Sequence, residues 1–149
     1  KSAQRDYALT SDVIVGFPGE TDRDFEETLE LVRDVEYDGL YTFHYSPRPH
    51  TPAASMADDV PAHVKRERFE ELLAVQAQVQ KRRYARHLGR KLEVLVEGRS
   101  TRNAEHAMGH STCNNVVNFP DDGQDLLSQV VKVEITQIKA HSLFGKLIQ

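Results

Sequence analysis

A chain of 149 residues, 39% of them apolar and with a net charge of −4, can bury one sizeable core or two small ones, so length alone leaves one domain or two open. No stretch approaches the roughly 18–20 continuous apolar residues of a membrane helix, and KSAQRDYALT at the N-terminus has no apolar signal-peptide core, so a cytoplasmic protein without a membrane partner is expected. The single cysteine, Cys113, excludes an intrachain disulfide and any site that needs several thiolates, and the seven histidines form no HExxH helical motif, so no metal site is expected from this chain alone.

Residues 10–16, TSDVIVG, are a short β-branched run ended by Gly16, the pattern of a strand buried on both faces. Phe25, Leu29, Val32 and Val35 then recur at helical spacing, which predicts an amphipathic helix over 22–36. Thr21 is its N-cap with Asp24 three residues on, and Asp38-Gly39 is its stop. LYTFHYS, 40–46, reads as a second strand. Strand, helix and strand in this span make one βαβ unit with parallel strands, and such a unit leaves a sheet face and an edge uncovered. PRPHTPAASM follows as an extended, proline-stiffened loop.

A long helix is predicted from about Pro61 to about His87, with Val64, Phe69, Leu72, Leu73, Val75, Gln76 and Val79 on its inner side and Gly89 at its end. From Arg90 the apolar period falls to two. KLEVLVEG, VVNF (116–119), QVVKVEITQI and SLFGKLIQ are short alternating runs divided by turn residues, as in a small all-β barrel. The fold class expected is therefore α/β followed by all-β, with domains 1–88 and 89–149.

Candidate chemistry lies in three places. GFPGET, 16–21, is a turn from a strand end into a helix N-terminus, where open α/β sheets hold ligands. It lacks GxxxxGK[ST] and GxGxxG, and Glu20, Asp22 and Asp24 repel an anion, so a cationic or zwitterionic ligand suits it better than a phosphate; a plain βα turn is the other reading. Arg48 sits between prolines on the loop leaving the same sheet end, and either grips an anion or is solvated. Lys81, Arg82, Arg83, Arg86, Arg90 and Lys91 form the densest basic cluster, and Asn114, Asn115, Asn118 and Phe119 combine amides with an aromatic ring, as single-stranded RNA readers do. A solvated helix face, an Asn-rich turn and a core phenylalanine are the alternatives.

Taken together, SDVIVGFPGETDRDFEETLELV, YTFHYSPRPHTPAA, the basic helix end and LVEG…NNVVNF…VEIT…SLFGKLI closely resemble the C-terminal half of the MiaB-type tRNA methylthiotransferases of the radical SAM superfamily. The resemblance implies the last βαβα part of a partial (β/α) radical SAM barrel, followed by an OB-like TRAM β-barrel that binds RNA. It implies an enzyme that methylthiolates N6-isopentenyladenosine at tRNA position 37. S-adenosylmethionine (SAM) and two 4Fe-4S clusters would be its cofactors, and the tRNA anticodon stem-loop and the N-terminal part of the same enzyme its partners. A stand-alone RNA-binding module, or a relative acting on threonylcarbamoyl-adenosine tRNA or a ribosomal protein, are the alternatives.

By the same resemblance, Val13, Ile14, Gly16, Phe17, Pro18, Gly19, Glu20, Phe43 and Tyr45 line the SAM pocket. Ser46, Arg48, Arg82, Arg83, Arg90, Asn115, Asn118 and Phe119 would meet substrate or tRNA. Three cysteines are needed for each cluster and one is present, so no metal ligand and no catalytic residue is expected here, and the chain alone is expected to be inactive. His50 stands where RPGTP has glycine, which loses or strains the loop's positive-φ option. His110 stands where GRT has arginine.

Overall fold

A computed structural model describes residues 7–101 and 103–148; the N-terminal residues 1–6 read above, Arg102 and Gln149 lie outside the described residues. The chain divides into two compact units, Leu9–Gln80 and a second that holds 81–148 together with 7–8.

In the first unit β1 (Thr10–Val15) and β2 (Gly39–His44) pair in parallel, from Thr10 opposite Gly39 to Val15 opposite His44. Between them runs α1 (Asp22–Val35), which begins at a complete capping box. Thr21 Oγ1 accepts from the Asp24 N–H, and Asp24 Oδ2 accepts from the Thr21 N–H at 2.8 Å. The helix stops earlier than Asp38-Gly39, because Glu36 turns left-handed (φ 53°) and its N–H closes on the Val32 carbonyl.

Helix α2 (Ala62–Ala85) follows a loop that is not wholly extended, since Pro52–Ser55 coil into one 3-10 turn. Val15, Phe25, Leu29, Val32, Leu72, Val75 and Val79 form the core of this unit. Burying a side chain the size of Leu29 or Leu72 contributes about 1.5–3 kcal/mol each, so these two anchor the helices on the sheet. Leu73, expected on the inner side of α2, is exposed.

β1 is not buried on both faces. The period of two sends Val13 and Val15 toward the helices and leaves Ile14 51% exposed on the opposite face. Its cross-strand partner Phe43 is 52% exposed, and Tyr41 stands beside it.

The second unit is a closed barrel of five strands: β3 (Lys91–Arg99), β4 (His106–Ser111), β5 (Val116–Pro120), β6 (Val130–Ile138) and β7 (Leu143–Ile148). The order is β3-β4-β5-β7-β6, closed by pairing of β6 with β3, so the fourth strand returns beside the first in Greek-key fashion. All pairs are antiparallel except β5 with β7. Val94, Val96, Ala107, Val117, Phe119, Val133, Ile135 and Leu143 fill the interior, together with Tyr84 from the last turn of α2.

Sequence patterning missed β4. HAMGHS has no β-branched residue, yet its burial alternates strictly, and Gly109 lies so close to β3 that an added Cβ would sit 2.0 Å from the Leu95 carbonyl oxygen. Strand propensity is silent where the requirement is for a small residue under a neighbouring backbone.

Candidate functional site

Gly16 ends β1 in the left-handed region (φ 71°), and the stem of Lys65 lies across it, so that a Cβ there would fall 2.4 Å from Lys65 Cγ. The turn then closes on its own acidic residues. Glu20 Oε2 accepts from the Gly16 N–H at 2.7 Å, the Glu20 N–H donates to the Phe17 carbonyl at 2.9 Å, and the Gly19 N–H donates to Asp59 Oδ1 at 2.8 Å. With these donors already taken, the turn offers no nest of free N–H groups for a phosphate.

Arg68, 6% exposed, locks this arrangement. Its Nη1 donates to Glu20 Oε2 (2.7 Å) and to the Glu20 carbonyl (3.1 Å), and its Nη2 donates to Asp22 Oδ1 (2.7 Å). Burial opposes the guanidinium charge, but the hydrogen bonds to Asp22 and Glu20 outweigh it and raise the Arg68 pKa. Glu20 is thus a stitch inside the turn, not a group turned out to a ligand.

Tyr45 is buried in an edge-to-face contact with Phe17 (centroids 5.2 Å apart), under the Lys65 ammonium 5.3 Å from its ring. Its hydroxyl donates to the Ala53 carbonyl at 2.7 Å and so pins the following loop. Lys65 Nζ is itself held by Asp58. Ser46 and Arg48 are exposed on that loop, where the Arg48 carbonyl accepts from the Thr51 N–H and Oγ1. His50 takes φ 66°, the left-handed conformation for which a glycine would be free of strain.

The structure therefore sorts the residues expected to line a ligand pocket here. Ile14, Phe43 and Phe17 are exposed apolar groups at one sheet end, with Gly16, Pro18 and Gly19 forming the turn beside them. Val13 is directed to the helix-covered core and packs there, and Tyr45 acts through Phe17 and the loop. Lys65 and Arg68 were missed. Their signal was present, because 65, 68, 72, 75, 76 and 79 make one helical stripe whose first two members are charged yet buried.

In the barrel unit Arg82 and Arg90 are exposed and Arg83 is half-buried. Two other expectations need correction. Phe119 is fully buried among Val94, Val117 and Leu143, so its ring has no free face on which a base could stack. Asn115 is buried too, with Nδ2 3.3 Å from His87 Nε2 and its N–H on Ser111 Oγ, and it ties the β4–β5 turn to the segment after α2. Asn114 supplies the left-handed residue of that turn (φ 58°). Asn118, half-buried, faces outward because a strand alternates, and Asn114 is exposed in its turn. At the sheet margin Asp121 accepts a hydrogen bond from Arg99, which holds its carboxyl below the usual range despite burial.

Among the described residues no His, Cys, Asp and Glu side chains group as metal ligands, and no helix is long and apolar enough to cross a membrane.

The TRAM domain family model matches residues 85–148. Along 148 residues the chain is 47% identical to the tRNA-2-methylthio-N(6)-dimethylallyladenosine synthase of Bacillus pumilus, covering 99% of this chain and 29% of that protein. The proteins of that name from Geobacillus thermodenitrificans (48% over 147 residues, 99% and 28% covered) and Bacillus subtilis (44% over 148 residues, 99% and 29%) are similar to it in the same way. The chain thus spans less than a third of the length of these relatives. Residues 85–148 thus match the TRAM domain model, and the chain is, over essentially its whole length, similar to the C-terminal regions of the tRNA-2-methylthio-N(6)-dimethylallyladenosine synthases.

Proposed function

We propose that this chain is part of a tRNA-modifying methylthiotransferase, in which the βαβ unit is the last part of a radical SAM barrel and the five-stranded barrel grips the tRNA near its anticodon. The observation that carries the reading is similarity along the whole chain, through both units, to proteins of one activity.

The residues of the first unit fit an adenosyl ligand. Ile14 and Phe43 offer an apolar surface for a purine, Gly16, Phe17, Pro18 and Gly19 border it, and Asp12 shares the face of Ile14 by strand alternation. A carboxylate beside an apolar face favours a sulfonium cation over a phosphate. When bound, S-adenosylmethionine would supply both the radical and the methyl group. Iron–sulfur clusters do not fit the residues present, since the one cysteine, Cys113, lies in the β4–β5 turn of the barrel unit. Cluster ligands would have to come from sequence outside this chain.

Ser46 and Arg48 would approach the substrate from the loop after β2. Arg82, Arg83 and Arg90 would meet tRNA phosphates, each such contact adding to the salt dependence of binding.

The decisive experiment is mass spectrometry of nucleosides from isopentenylated tRNA incubated with the full-length, cluster-reconstituted enzyme and S-adenosylmethionine. The 2-methylthio product at position 37 is expected. Unchanged isopentenyladenosine, or methylthiolation of threonylcarbamoyl-adenosine or of a ribosomal protein instead, would reject the reading.

A further inference from the structure

A recess of the barrel unit, about 640 Å³, opens over the outward side of β4, β5 and β7 and the end of β6. The strand registers lay one row of side chains across it: Met108 opposite Asn118, Asn118 opposite Phe144, and Phe144 opposite Gln137. The His106 ring stands edge-on to Phe144, with centroids 5.2 Å apart. Phe119, the aromatic that sequence patterning offered as a stacking platform, points inward one position away; Phe144 and His106 supply rings on the outer face.

Charge narrows the occupant. The chain has 23 acidic against 19 basic residues, yet the described lining of this recess contains no carboxylate and does contain Lys139 and three histidines, His106, His110 and His141. Two other recesses among the described residues of the barrel are lined by carboxylates that outnumber their one cation, Arg99: Asp121 and Asp125 in one, Glu105, Asp121 and Asp122 in the other. Glu97 reaches the rim only as the partner of His110 Nδ1, at 2.6 Å. Aromatic rings, amides with both donors and acceptors, and a basic rim free of lining carboxylates match an anion that carries flat heterocycles.

Between nucleic acid forms, the geometry favours the unpaired one. A base in a duplex keeps its faces stacked and its pairing edge occupied, and the described lining of this recess comes from strands and turns, with no helix to enter a groove. Stacking on Phe144 and reading by Asn118 and Gln137 both require a base that has left its stack. Lys139 Nζ donates to Gln137 Oε1 at 2.7 Å, which places a cation beside that amide for the attached phosphate.

We infer that this recess receives an unpaired nucleotide of the RNA, stacked on Phe144 and contacted by Asn118 and Lys139. The inference rests on the reading that the barrel binds RNA, and adds which face does so and in what state the RNA is read.

The test is fluorescence anisotropy on the whole chain at one fixed salt concentration. One probe is a labelled mixed-sequence RNA of about ten nucleotides, within the span of a single such barrel; the other is the same strand annealed to its complement. The single strand should bind more tightly than the duplex. Phe144→Leu, which keeps bulk without a π face, and Asn118→Ala should each weaken single-strand binding about tenfold, and Phe144→Tyr should restore it. Should Phe144→Leu not fold, Lys139→Ala on the exposed rim takes its place with Asn118→Ala. Equal affinity for the duplex, or affinity unchanged in all these variants, overturns the inference while leaving RNA binding intact. Absence of binding to either probe overturns the RNA-binding reading as well.

Discussion

Arg68 and Glu20 lie 48 residues apart in sequence and meet through two hydrogen bonds, one to the Glu20 carboxylate and one to its carbonyl. Both side chains are nearly enclosed, whereas the third member, Asp22, is exposed. The pair therefore fixes the turn between β1 and α1 from inside. Removing one buried partner leaves the other charge uncompensated, a loss of about 3–5 kcal/mol when burial is complete. Arg68→Met should lower the stability of the first unit by about 2–4 kcal/mol, because Gly16 N–H still pairs with Glu20. Adding Glu20→Gln should recover part of that loss. Urea unfolding followed by circular dichroism checks both, and an unchanged midpoint for Arg68→Met would show that the pair adds nothing.

Acid should weaken the fold within a narrow window. The Asp24 carboxyl is held below its ordinary value of 3.8 chiefly by the Thr21 backbone N–H, then by the Thr21 hydroxyl. Asp121 is held below the same value chiefly by its hydrogen bond with Arg99. A folded pKa below the unfolded one gives stability that is fully present above the unfolded value and lost as pH falls through the folded one. Melting temperature should accordingly stay level from about pH 7 to pH 5 as far as these two groups are concerned, and drop below about pH 4. Asp121→Asn should lower it at neutral pH and flatten the acid limb. An acid limb of the same steepness in that variant would remove Asp121 from the account.

How far the sequence went depended on whether a feature is periodic or relational. The helical spacing of Phe25, Leu29 and Val32 and the capping pair Thr21–Asp24 are local patterns, and they form as read. Alternation also separates Asn118 from Phe119 once the inward side is known, but VVNF alone does not say which side that is. Closure of the barrel decides it, by placing Val117 and Phe119 against Val94 and Leu143. Strand β4 escaped because its defining residue, Gly109, answers to a neighbour's backbone and not to its own propensity. Arg68 and Lys65 escaped because charged residues are ordinarily assigned to the solvent side of a helix, and only the turn after β1 explains their burial.

His50 adopts φ 66° in a turn whose first carbonyl, that of Arg48, accepts from the Thr51 N–H. With Pro49 and His50 as the central residues, positive φ falls at the second, the position where a type II turn takes glycine. A β-carbon there costs about 1–2 kcal/mol, against about 0.5–1 kcal/mol of extra chain entropy that glycine loses on folding. His50→Gly should therefore stabilise the first unit by about 0.5–1 kcal/mol, and His50→Ala should stay within about 0.5 kcal/mol of the parent. Denaturant midpoints of the three proteins decide it; a His50→Gly variant less stable than His50→Ala would mean that a β-carbon carries no conformational cost at this positive φ.

Gly98 and Gly109 make a matched pair within the barrel. Both lie in paired strands, with Gly98 in β3 opposite Met108 and Gly109 in β4 opposite Val96. A Cβ at Gly98, beside the β3 bulge, would meet nothing within 4 Å, whereas one at Gly109 would meet the Leu95 carbonyl oxygen at 2.0 Å and its carbon at 2.8 Å. The obstacle at Gly109 is backbone, so the strand itself must move and the β3–β4 ladder must open. Gly98→Ala should change stability by less than about 1 kcal/mol, with stabilisation the favoured sign because alanine restricts the unfolded chain. Gly109→Ala should cost at least about 3 kcal/mol, the upper end for overpacking, and should expose amides of β3 and β4 to exchange. Hydrogen exchange on the two variants reads both effects at once. If Gly109→Ala protects those amides as well as Gly98→Ala does, the close approach of the two strands is not what requires glycine there.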